Sequence, residues 1–233
     1  MDFGFTSDKK KKTGPSKKWT AKQITEELVK LDKKIEEAKE REGDVDVRDA
    51  ILNKAEWLKE EAQDYPEAEK FFRDAYEKSG GASRKMEILF EVLLMNLEKS
   101  DLEAVKKDVH TCKDLVEQGA DWDKKNKLKI FEGVYCMLIR DFKSAADLFL
   151  SSIATFTCTE LMEYKTFIFY AVVMAMVTQD RKTIKKEVIH SPDVLSCIRD
   201  IPHLKQFSES FYNCEYKTFF EAFVEIIDAV KAD

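Results

Sequence analysis

Five stretches of the 233-residue chain open on an acidic residue and then repeat one apolar spacing. They start at Asp64 (DYPEAEKFF), Asp101 (DLEAVKKDV), Asp141 (DFKSAADLF), Asp180 (DRKTIKKEV) and Glu215 (EYKTFFEAF), at intervals of 37, 40, 39 and 35 residues. Four residues after each start stand Ala68, Val105, Ala145, Ile184 and Phe219, and eight residues after it stand Phe72, Val109, Phe149, Val188 and Phe223. Offsets of four and eight fall on one face of an α-helix, so each stretch reads as a helix with a single apolar stripe. The acidic start suits an N-cap or a first-turn charge favoured by the helix dipole, and Pro66 suits a first turn that needs no N–H donor.

A second helical pattern precedes each start, over residues 47–62, 84–97, 122–139, 161–177 and 204–212. The first places Ile51, Ala55 and Leu58 on one stripe, the second Ile88, Val92 and Met95, and the third Leu128, Phe131, Val134, Tyr135 and Leu138. The unit is therefore helix, short turn, helix, at a period close to that of tetratricopeptide and related repeats. One such pair cannot bury its own apolar face, so an all-α stack of pairs sharing a continuous core is expected over residues 44–233. Pro192 and Pro202 make 190–203 its least regular part. Ahead of the stack, residues 21–43 read as a charged helix on Ile24, Leu28, Leu31 and Ile35, ended by Gly43, with Asp44 or Asp46 as the next cap.

Composition agrees with this class. Glycine (7) and proline (4) are scarce, against about 16 and about 12 at average usage, which leaves little material for hairpins or tight βα turns. Residues 1–22 carry a net charge of +5 and the rest of the chain −11. An acidic body repels nucleic acid and anionic membrane. The leader over residues 1–20, with its lysine run, is expected to be disordered, a nuclear-import signal being the sharper reading. It has no apolar core of a signal peptide. The longest apolar run, residues 167–177, is too short to span a bilayer and reads as a helix buried on several sides. Cys112, Cys136, Cys158, Cys197 and Cys214 are odd in number and form no CxxC, the usage of a reducing compartment.

No recognised catalytic or phosphate-binding motif is present. His110 and Cys112, two apart on a helix, point in different directions and cannot clamp one metal. His190 opens HSPD, where Ser191 and Asp193 read as caps around Pro192, and His203 has no evident partner. The carboxylate pairs Glu26/Glu27, Glu36/Glu37 and Glu60/Glu61 read as solvated faces. No enzyme, metal or cofactor is expected, and Ala55, Ala68, Phe72, Val109, Tyr135, Ala145, Phe149, Phe169 and Phe223 are the candidate repeat-packing residues. Lys124, Lys125, Lys127 and Lys129 after Trp122 leave an RNA-binding helical repeat as an alternative, weakened by Asp121, Asp123 and Glu132 among them.

The segment 119–150, GADWDKKNKLKIFEGVYCMLIRDFKSAADLFL, resembles the regulatory-particle non-ATPase subunit seven family of the 26S proteasome lid. So do SIATFTCTELMEYKTFIFY at 152–170, DVRDAILNKAEWL at 46–58, the helix at 28–39 and FYNCEYKTFFEAF at 211–223. Subunit one of the signalosome is a related, less similar alternative. The resemblance implies a right-handed superhelical arm leading into a PCI domain, of which 190–233 is the start. It implies a non-catalytic scaffold in ubiquitin-dependent degradation, in cytoplasm and nucleus. The partners implied are PCI-type lid neighbours, a small acidic lid protein and the base ATPases, with neither membrane nor nucleic acid among them. The family continues past the position of Asp233 into a winged helix, so a fragment or short form is expected, with Phe220, Phe223, Ile227 and Val230 exposed and prone to self-association.

Overall fold

A computed structural model describes residues 21–41 and 43–231, and most of these are helical, with no strand among them. The expected disorder of residues 1–20 lies outside the described residues. Helices α1 (Ala21–Glu40), α2 (Asp44–Trp57), α3 (Tyr65–Lys78), α4 (Ala82–Glu98), α5 (Leu102–Glu117) and α6 (Trp122–Leu138) are followed by α7 (Phe142–Leu150) and α8 (Tyr164–Thr178). The chain ends in α9 (Arg181–Thr183), α10 (Pro192–Ile198), α11 (Leu204–Asn213) and α12 (Tyr216–Lys231). Two compact units divide these residues at 125/126, within α6.

In the first unit each helix packs on the next from α1 to α5. The stripe offsets direct the packing: Ala68 and Phe72 of α3 meet Ile51 and Ala55 of α2, Leu58 just beyond it, and Ile88, Val92 and Met95 of α4 in one buried cluster. In the second unit α7 packs on α8 and α11 on α12. Helix α8 buries nearly all sides, from Phe167 through Met176, with Val177 exposed at its end. The paired offset positions of α3, α5, α7 and the segment from Asp180 are all buried, whereas Phe219 and Phe223 of α12 are half-buried.

The turn inside each pair is built without glycine. Ser100, Arg140 and Cys214 hold φ of +58°, +65° and +64°. Each amide bonds back three residues, and the next residue's amide bonds back five, from Asp101 to Asn96, Asp141 to Cys136 and Glu215 to Ser210. This is a Schellman closure whose last residue already begins the following helix. The carboxylates of Asp64, Asp101, Asp141 and Asp180 each accept the amide N–H three residues on, the N-cap expected of them. A side chain at positive φ crowds the following carbonyl. Arg140→Gly is therefore expected to stabilise the protein by about 0.5–1 kcal/mol, read as a raised urea midpoint.

Hydrogen bonds from Ser144, side chain and backbone, hold the Asp141 carboxyl below the ordinary carboxylate range, and those from Thr183 do the same for Asp180. A lowered folded pKa contributes stability that is present above the unfolded value of about 4 and lost as pH falls through the folded value. Asparagine keeps a capping oxygen without titrating there. The double variant Asp141→Asn, Asp180→Asn should thus lose stability less steeply than the parent between about pH 5 and about pH 2.5, as read by denaturant midpoints.

Four local expectations are corrected. Gly43 itself occupies the N-cap of α2, with Asp44 and Asp46 in the first turn and no side-chain cap. The turns Leu58–Ala62 and Ile184–Ile189 are wound as π-helix, the second taking over from α9 after a single turn. Leu138, placed on the buried stripe of α6 by its spacing, is exposed at the helix end. Ser191 is the N-cap of α10 by position, with Pro192 in the first turn, but its hydroxyl makes no capping bond.

Candidate protein interaction surface

The groups able to do chemistry are dispersed or quenched. Among the described residues no three His, Cys, Asp or Glu side chains come together to hold a metal ion. Cys112 is buried, and burial, with the nearby Asp108 charge, pushes its thiol up to about 12. Burial likewise raises Cys158 and Cys197. Thiols held protonated in this way are poor nucleophiles. Cys214 is exposed, and hydrogen bonds from Arg181 and Tyr216 lower its pKa. The same Arg181 donates to the Tyr212 carbonyl at 2.7 Å and lies over the Tyr212 ring at 4.8 Å. Exposed His110 lies 3.4 Å from Asp114, one turn along α5, and His203 occupies the left-handed N-cap of α11.

Of the basic stretch in α6, Lys124 pairs with Glu87 at 2.5 Å and Lys127 pairs with Glu160. These carboxylates neutralise charge that a phosphate backbone would need.

Ala55, Ala68, Phe72, Val109, Ala145, Phe149 and Phe169 are buried, and Tyr135 and Phe223 are half-buried. Phe149 meets Phe167 edge-on at a centroid distance of 5.3 Å. Its ring also lies so close to Gly133 that a Cβ there would stand 2.5 Å from Phe149 Cε1. The small residue on α6 thus makes room for the large one on α7.

Two features had no place in the spacing pattern. Asp108, buried on α5, accepts from Asn96 Nδ2 of α4 at 3.1 Å and from both Arg73 guanidinium nitrogens of α3 at 3.2 Å. Arg73 also donates to Glu69, which Lys99 reaches at 3.1 Å. Burial alone would raise the Glu69 carboxyl, but the hydrogen bonds from Arg73 and Lys99 outweigh it and hold it low. The available signal was that offset seven from Asp101 falls on the same helix face as offsets four and eight.

The second feature is the outer face of α12. Phe207 of α11 stacks with Phe219 and Phe223 at centroid distances of 5.2 and 6.3 Å, and Phe211 meets Phe219 at a tilt at 5.4 Å, which fastens one side of α12 to α11. The other side leaves Tyr216 63%, Phe220 59% and Val224 55% exposed, in line with half-buried Ile227. Exposed apolar side chains elsewhere, such as Trp122, Ile139 and Val177, are not set in a run of this kind along one helix. A contiguous apolar stripe of this kind is a surface on which further helices or another protein can pack.

The sequence model described as "26S proteasome subunit RPN7" matches residues 17–187. The 26S proteasome non-ATPase regulatory subunit 6 of Oryza sativa subsp. japonica is 40% identical over 210 residues, 90% of this chain and 54% of that protein. Its Arabidopsis thaliana homolog is 41% identical over 208 residues, 89% of this chain and 54% of that protein. The 26S proteasome regulatory subunit RPN7 of Saccharomyces cerevisiae is 30% identical over 202 residues, 85% of this chain and 47% of that protein. The chain spans about half the length of the curated relatives it matches.

Proposed function

Because the chain belongs to the RPN7 family of 26S proteasome subunits, we propose that it acts as a non-catalytic scaffold of the proteasome regulatory particle lid, serving ubiquitin-dependent degradation through contacts with other proteins. The observation that carries this reading is the family match over residues 17–187, which includes the repeat starts Asp64, Asp101, Asp141 and Asp180. The structure supports it by spending its side chains on packing between helices. On this reading its partners are PCI-type lid neighbours, the small acidic lid protein and the base ATPases, and it works in cytoplasm and nucleus. It would contribute as one stretch of a lid arm, with no turnover of its own.

Affinity purification of the tagged chain from a native lysate, followed by mass spectrometry, tests it. Lid and base subunits of the proteasome are the expected co-purifying proteins. Recovery of signalosome subunits in their place, or RNA binding with a steep salt slope, would overturn the proposal.

A further inference from the structure

We draw no further inference here: the strongest candidate, the exposed Cys214 thiol at the α11–α12 turn with Arg181 and Tyr216 beside it, is a lone cysteine held by its own neighbours, and nothing in the structure points to a ligand there.

Discussion

Replacing Phe149 with alanine should destabilise the protein by about 3–5 kcal/mol, the cost of removing a fully buried ring whose surroundings relax only in part. Phe149 has no exposed surface, lies edge-on to Phe167 and fills the space that Gly133 leaves on α6. Urea titration at pH 7, with the slope unchanged from the parent, is the measurement. A loss below about 1 kcal/mol would mean that the ring does not bridge α6, α7 and α8. The double-mutant cycle with Gly133 is more telling. Gly133→Ala alone drives a Cβ into the ring and should cost about 1–3 kcal/mol as overpacking. In the Phe149→Ala background the same methyl group enters vacated space, so its effect should fall to near zero or turn favourable, giving a coupling energy of at least about 1 kcal/mol. Independent effects would show that the two positions do not share one void.

Asp108→Ala should cost about 2–3 kcal/mol. The carboxylate is the shared acceptor of Asn96 and Arg73, so its loss leaves the Asn96 amide, 1% exposed, without its bond at a helix interface. Arg73 suffers less, because its side chain is 43% exposed and keeps Glu69. Arg73→Ala should therefore cost at least as much as Asp108→Ala, since it strands a buried carboxylate rather than a half-solvated guanidinium. Asp108→Asn, which keeps the shape and an acceptor oxygen, should cost less than either. Thermal unfolding of the three variants orders them, and equal, small losses would show that the pairing adds nothing beyond packing.

The fold class was legible because an apolar residue every fourth position is a local property, and a local property repeated every 35–40 residues has one inexpensive solution, the stacking of helix pairs. Ala68, Phe72, Ala145 and Phe149 announced themselves in this way, and all are buried. Chemistry was less legible by the same route, since a helix carries histidines, cysteines and acids on every face and only the neighbouring helices decide which are desolvated. Asp108 shows the point: its spacing lay on the buried face, yet only Asn96 of α4 and Arg73 of α3 supply the donors that let a carboxylate stay there. The α12 surface was half legible. The repeat spacing marked Phe219 and Phe223 as inward positions, and Phe220 and Val230 are exposed as expected, whereas Phe223 and Ile227, also expected to be exposed, are half-buried because α11 lies against α12 and Phe207 stacks on Phe223.

What the amino-acid order determined by itself is the helix pair, its length, its acidic cap and the identity of most core residues, because each depends on contacts within four residues of chain. The tertiary structure decided the rest. It holds Ser100, Arg140 and Cys214 at positive φ, where glycine would be the local choice, since the turn must return the second helix onto the first. It winds Leu58–Ala62 and Ile184–Ile189 into wider turns. It also separates a paired buried aspartate from its solvated neighbours. These features are set by the distance between one helix and the next, and no window of sequence contains that distance.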